Sequence, residues 1–306
     1  MTKNYTVFST QCYGYLNKSL CKLPGFSQGT MTFETFSDGE HYIRIDQDLT
    51  NLDVVVIGST IPGNHFLEFY DLASGVVSMG ARSLTMIVPY YAYSTMERAV
   101  TSGEVVTAKT RARLLSSLPA ASWGNRIIFI DLHSEGITHY LEGHIRPTHL
   151  YSTKLITEAA LNLGDHDFIL ASTDAGRAKW VEALANQMGV SCAFLMKKRH
   201  GDARTSVVAP AKPVDHKTVI IYDDMIRSGG SLIGAAKAYK EAGASKIFAL
   251  TTHGIFSGNG LEKLKSCGYI EKIICTDTVP GVTEKSDDFL QVSPISGMLA
   301  ESLKNA

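Results

Sequence analysis

Two adjacent carboxylates followed by a turn of small residues are the strongest chemical signal in this chain of 306 residues. In TVIIYDDMIRSGGSLIGAAKAY, from Thr218 to Tyr239, an apolar stretch ends in Asp223 and Asp224. Ser228, Gly229, Gly230 and Ser231 then lead into a segment at helical spacing. A small-residue turn that opens a helix exposes backbone N–H groups suited to an anion. Paired acids just before it suit the hydroxyls of a sugar, or a magnesium ion bound to one. Together these residues read as a cradle for a ribose phosphate, although the Gly-Gly turn alone is equally a helix cap. Neither GxxxxGK[ST] nor a GxGxxG following a strand occurs, so the P-loop and dinucleotide-binding designs are excluded.

Further candidates stand just after other apolar runs. In IIFIDLHSEG, His133 lies two residues beyond Asp131, and in ILASTDAGRAKW, Asp174 closes the run. His133 and Asp174 could share one divalent cation, with Asp131 orienting the histidine. In FLMKKRHGDARTS, Lys197, Lys198 and Arg199 form a basic cluster. Such a cluster can close over a phosphoryl group and stabilise its charge, or can simply be a solvated charge run. TFSDGEHYIRI reads as a hairpin-like turn with aromatic neighbours, and its residues alone suggest no function. His139, His144 and His149 recur every five residues with Pro147 between them, a spacing that does not align them on a helix, so they read as structural or surface residues.

The elements that must position these groups alternate. Apolar runs rich in Ile and Val span 54–58, 84–89, 126–133, 168–176, 193–199, 218–225, 246–254 and 272–278. They show little alternation, as expected of strands buried on both faces of a parallel sheet. Between them, 65–79, 105–117, 151–163, 178–188, 231–241 and 260–267 show helical spacing. Strand alternating with helix predicts α/β units, in which ligands bind beyond the carboxyl ends of the strands. The series falls into two halves, 1–147 and 148–306, with a junction in the irregular stretch GHIRPTHLY, and the last helix is expected to pack back on the N-terminal half. Residues 200–217 lack a clear period and read as a mobile loop or short hairpin near the site.

Composition limits the partners. Hydrophobic residues make up 44% and charged residues 19%, a globular balance. With 29 basic and 30 acidic residues the net charge is −1, which argues against a basic coat for nucleic acid, so any anion must be held by local clusters. Five cysteines without a Cys-x-x-Cys pair suit reduced thiols. Neither a signal peptide nor an apolar run of membrane-spanning length is seen. The expectation is a cytoplasmic protein with no membrane and no nucleic-acid partner.

In this order, the motifs resemble those of the ribose-phosphate pyrophosphokinases, or phosphoribosyl-diphosphate synthetases. The resemblance covers most of the chain: FSDGE at 36–40, VVVIGST at 54–60, PYYAYS at 89–94, TAK at 107–109, DLHSEGI at 131–137, STDAG at 172–176, KKR at 197–199, YDDMIRSGGS at 222–231, THGIFSG at 252–258 and TDTVP at 276–280. It implies two tandem phosphoribosyltransferase-like (type I) domains, each a mainly parallel sheet flanked by helices. It implies transfer of the β,γ-diphosphoryl group of ATP to the anomeric hydroxyl of ribose 5-phosphate, with release of AMP. Carried over, His133 and Asp174 would hold a catalytic magnesium, and Lys197 and Arg199 would stabilise the transferring group. Asp223 and Asp224 would bind the ribose hydroxyls, and Ser228, Gly229, Gly230 and Ser231 the 5-phosphate. Phe36, Asp38 and Glu40 would contact adenine across a subunit interface, which implies a homo-oligomer, a dimer or a hexamer.

The chain also departs from the family pattern. Where the family has an Arg-Gln-Asp run that helps hold ATP, this sequence reads Thr95, Met96 and Glu97, with Arg98 next. Arg227 replaces an acid at the sugar-phosphate loop, and Arg177 replaces a glycine after Asp-Ala-Gly. Two additional cations beside the cradle suit further phosphate oxygens by bidentate contact. This raises an alternative acceptor, ADP-ribose, giving ADP-ribose diphosphate for NAD resynthesis. A non-catalytic, synthetase-associated regulatory subunit is another alternative, prompted by Thr95 and Met96. A phosphoribosyltransferase that consumes the activated sugar shares the 223–231 cradle but does not explain the tandem halves.

Overall fold

The computed structural model describes residues 3–164, 167–199 and 206–305, with the side chains of 197–199 and 206–209 outside that description. It divides into two units, residues 1–151 with 295–306, and residues 152–294. In the first unit the strands are β1 (Tyr5–Ser9), β2 (Phe26–Gln28), β3 (Met31–Thr35), β4 (His41–Ile45), β5 (Asp53–Ile57), β6 (Ser83–Val88), β7 (Asn125–Ile130) and β8 (Ile145–Leu150). The helices are α1 (Gly14–Leu20), α2 (His65–Ser78) and α3 (Thr107–Ser116), joined by the C-terminal helix Ser296–Lys304. Six strands form one parallel sheet in the order β2-β1-β5-β6-β7-β8, while β3 and β4 pair antiparallel as a separate hairpin. That hairpin carries FSDGE at its tip, as its turn residues predict.

The second unit repeats the design. Its strands are β9 (Phe168–Ser172), β10 (Ser191–Ala193), β11 (Leu195–Arg199), β12 (Ser206–Pro210), β13 (Thr218–Ile226), β14 (Lys246–Gly254), β15 (Lys272–Thr276) and β16 (Leu290–Ser293), and its helices are α4 (Thr153–Gly164), α5 (Ala178–Met188), α6 (Gly230–Glu241) and α7 (Gly260–Ser266). The parallel sheet runs β10-β9-β13-β14-β15-β16. Alternate residues of one strand serve opposite faces. Val219 and Ile221 of β13 join a core with Leu232, Ala235, Leu261 and Leu264, while Ile220 and Tyr222 join one with Ile156, Ala160, Val181 and Leu184. Because both faces are covered, the strands read as unbroken apolar runs instead of alternating ones.

Two expectations change. The stretch read as irregular at 143–151 contains strand β8, which spans the expected 147/148 junction. Pro147 is tolerated there because β8 is the sheet's outermost strand, where a missing N–H costs no ladder bond. The run 193–199 is two strands: β10 ends the parallel sheet, and β11 turns away to pair antiparallel with β12. The C-terminal helix packs in the first unit: the Tyr5 hydroxyl donates to the Leu303 carbonyl (2.9 Å), and Ser19 and Ser296 hydrogen-bond (2.9 Å). Among the described residues no helix is long and apolar enough to cross a membrane.

Candidate active site

In the second unit, β9 and β13 lie side by side; β9 ends at Ser172, in register with Tyr222, while β13 runs on through Asp223 and Asp224 to Ile226. Parallel pairing therefore brings the Thr173–Arg177 turn against Asp223 and Asp224. The Thr173 hydroxyl donates to Asp223 Oδ2 (2.9 Å), and the Asp224 backbone N–H donates to Asp223 Oδ1 (3.0 Å). Arg177 Nη2 forms an ion pair with Asp224 Oδ2 at 2.6 Å, where Asp224 is only 3% exposed. The sequence offered Arg177 as a phosphate contact; the fold commits it to the buried acid. Burial, reinforced by the neighbouring charge of Asp224, pushes the Asp223 carboxyl up to about 7. Close to neutrality, one acid of the pair can thus donate a hydrogen bond and the other accept one.

Beyond the acids, Gly229 takes φ +81°, and α6 begins at Gly230. A Cβ at Gly229 would stand 2.9 Å from Leu264 Cγ, so backbone conformation and packing both call for glycine. The first N–H groups of α6 have no acceptor within the helix and form an anion-binding end. Ser228, Gly230, Ser231 and Arg227 are exposed around them. Gly260 is a supporting residue that pattern reading missed. A Cβ there would meet the Arg227 carbonyl oxygen at 3.0 Å, and the Ser257 N–H donates to that same oxygen (2.9 Å). The THGIFSG run quoted for its resemblance is thus the shelf on which the sugar-phosphate loop rests.

Asp174 is exposed at the end of β9, with Oδ1 accepting from the Gly176 N–H (2.8 Å). Among the described residues no group of three or more His, Cys, Asp or Glu side chains converges on a metal position. Magnesium is commonly held by one or two carboxylates together with water and substrate phosphates, so an exposed carboxylate with an uncommitted oxygen fits it. Lys197 and Arg199 are alternate residues of β11, opposite Val208 and Ser206 of β12. Their side chains lie outside the described residues.

In the first unit, Phe36, Asp38 and Glu40 gather at the hairpin tip. Phe36 is 49% exposed, its N–H donates to the Glu40 carbonyl (2.8 Å), and the Glu40 N–H donates to Asp38 Oδ1 (3.1 Å). The loops after β5 and β6 are tied together, because Ser59 and Thr60 donate their hydroxyls to the carbonyls of Tyr90 (2.7 Å) and Ala92 (3.2 Å). Thr95 and Met96 follow in a short turn of helix. Arg98 stands 77% exposed, 3.5 Å from Glu97. After β7, Asp131 is buried with φ +37° and His133 is exposed. His149 plays a structural part: its Nε2 accepts the Leu132 N–H (2.9 Å).

A family model described as the N-terminal domain of ribose phosphate pyrophosphokinase matches residues 5–118, and one described as a phosphoribosyl synthetase-associated domain matches residues 196–306. The ribose-phosphate pyrophosphokinase of Corynebacterium efficiens is 32% identical, over 98% of this chain and 92% of its own. This chain belongs to the ribose-phosphate pyrophosphokinase family. The family's member from Parasynechococcus marenigrum is 28% identical, over 99% of this chain and 90% of its own. The crystal structure of phosphoribosylpyrophosphate synthetase from Mycobacterium smegmatis, 27% identical, matches with a TM-score of 0.87 over 99% of this chain and 98% of that one. The twin parallel-sheet units are therefore this family's fold, as the resemblance implied.

Proposed function

We propose that this chain transfers the β,γ-diphosphoryl group of ATP to the anomeric hydroxyl of ribose 5-phosphate, giving phosphoribosyl diphosphate and AMP. The cradle of the second unit carries this reading: a carboxyl pair near the end of β13, Asp224 buried and Asp223 half-buried, beside an anion-binding helix end. It occurs in a chain similar over nearly its whole length to ribose-phosphate pyrophosphokinases. Those names favour ribose 5-phosphate over ADP-ribose as acceptor, and catalysis over a non-catalytic role.

In this proposal Asp223 donates to one ribose hydroxyl, while Asp224, countered by Arg177, accepts from another. Ser228, Gly229, Gly230 and Ser231 hold the 5-phosphate with the N–H groups of α6, and Arg227 adds bidentate donors at the rim. The anomeric oxygen attacks the β-phosphorus, and the bond from that phosphorus to the oxygen bridging it to the α-phosphate breaks, so AMP leaves with that oxygen. Little covalent chemistry falls to the protein; orientation and charge neutralisation supply the rate. Lys197 and Arg199 neutralise the transferring group. Magnesium, with Asp174 and His133 as candidate ligands, supplies neutralisation of the ATP oxygens when bound. Thr95, Met96 and Arg98 line the ATP side. Phe36, Asp38 and Glu40 hold the adenine of a neighbouring copy's ATP, which makes the working form a homo-oligomer, a dimer or a hexamer. The five unpaired cysteines are in keeping with a cytoplasmic location.

The test is AMP release from Mg-ATP with each acceptor, with the product identified by mass. AMP and phosphoribosyl diphosphate are expected with ribose 5-phosphate. AMP with ADP-ribose alone would refute the proposed acceptor, and AMP with neither would refute the activity.

A further inference from the structure

Arg111, in the second turn of α3, stands against two aromatic rings. Its guanidinium carbon lies 5.2 Å from the ring centroid of Phe66 and 5.4 Å from that of Tyr93. Phe66 belongs to the first turn of α2, and Tyr93 to the turn that follows β6. Tyr93 takes φ +65°, a conformation a bulky residue keeps only where its surroundings hold it. The Tyr91 hydroxyl, donating to the Ala108 carbonyl (2.7 Å), fastens α3 to the same turn. The arginine is half-buried, and its Nε is fully buried without a hydrogen-bond partner among the described residues. No described carboxylate pairs with it.

Contact with the faces of aromatic rings uses none of a guanidinium's N–H donors. A cation fixed in this way, short of an acid and beside the carboxyl ends of β5 and β6, is built to receive an oxyanion. Its neighbours identify which one. The Tyr93 turn runs directly into Thr95, Met96 and Arg98, the candidate ATP segment, in which Arg98 points into solvent beside Glu97. Arg111 is a cation that packing fixes at that turn; Lys109 also stands near the segment, 5.6 Å from the ring of Tyr140, whose hydroxyl donates to the Glu97 carbonyl.

We propose that Arg111 binds a phosphate group of the nucleotide co-substrate, supplying from α3 the positive charge that the 95–97 segment lacks. This rests on the synthetase reading above. Arg111→Met removes the charge and keeps most of the apolar bulk, while Arg111→Lys keeps the charge without the fork. Both are compared with the unaltered chain by thermal unfolding, by calorimetric titration with Mg-ATP, adenosine and inorganic phosphate, and by steady-state AMP release. For Arg111→Met the affinity for Mg-ATP should fall roughly 10- to 100-fold, the range for a lost charge-assisted hydrogen bond, with KM for ATP rising in step. Adenosine affinity and KM for ribose 5-phosphate should stay within about twofold, and Arg111→Lys should fall between. Unchanged Mg-ATP affinity in Arg111→Met would overturn the inference, as would equal losses for adenosine and ATP, which mark a purely structural strap. A loss confined to inorganic phosphate would overturn it in favour of a free-phosphate site. If the unaltered chain neither binds ATP nor releases AMP, the synthetase reading falls and takes the inference with it.

Discussion

Replacing Asp223 with Asn should stabilise the protein above neutral pH while weakening its hold on the sugar. Burial and the charge of Asp224 raise the Asp223 carboxyl from 3.8 to about 7. A shift of about three units is worth roughly 4 kcal/mol at about 1.36 kcal/mol per unit, an upper bound on what the ionised group costs the fold. Asn lacks that charge but has one carbonyl oxygen where Asp223 has two, accepting from Thr173 and from the Asp224 N–H. One of those hydrogen bonds is lost, at about 1 kcal/mol. The net expectation is a gain of about 2–3 kcal/mol at pH 8. In the unfolded chain the acid releases its proton near 3.8, while in the folded chain it keeps it to about 7. Between those values the native state binds more protons, so the unaltered protein loses stability as pH rises through the window, and Asn does not. Urea unfolding at several pH values from 4 to 8, in chelator, should show Asn about 1 kcal/mol less stable near pH 4 and gaining steadily across that window. The same variant should raise KM for ribose 5-phosphate roughly 2- to 10-fold, as for one neutral hydrogen bond whose geometry is altered, because the Asn amide can still donate where the protonated acid did. A stability difference that does not change with pH, or an Asn variant less stable at pH 8, would refute the reasoning.

Arg177→Met should destabilise the second unit by roughly 2–4 kcal/mol, because it leaves Asp224 buried without its countercharge. Adding Asp224→Asn should recover most of that loss in thermal unfolding. Because the Arg177 charge lowers the Asp223 carboxyl, the pH window of the preceding experiment should move upward in Arg177→Met. Gly229→Ala should cost about 1–2 kcal/mol for a side chain in the left-handed region, and more if Leu264 cannot shift. It should also raise KM for ribose 5-phosphate more than KM for ATP, measurable in the AMP-release assay.

Much of the fold is legible in the chain. The runs at 54–58, 84–89, 218–225, 246–254 and 272–278 coincide with strands, and 65–79, 178–188, 231–241 and 260–267 with helices, each within a few residues. Burial on both faces makes such strands unmistakable apolar runs, and one-sided burial gives the helices their period. β8 and the start of β11 were not legible. One carries Pro147, which only an edge position tolerates, and the other leaves the sheet for a hairpin, a decision made by pairing partners distant in sequence.

The same division holds for the site. Sequence by itself determined the chemistry on offer: two acids, a small-residue turn and a helix start are contiguous from Asp223 to Ser231, so local order alone brings them together. Only the tertiary structure decided what each charged group does. Parallel pairing of β9 with β13 sets Arg177 against Asp224, and packing against Leu264 requires glycine at 229. Arg111, 18 residues beyond Tyr93 in the chain, meets that ring and Phe66 only because α2, α3 and the β6 turn converge at one end of a sheet. Contacts between residues remote in sequence are fixed by strand order and side-chain packing, which no local pattern encodes.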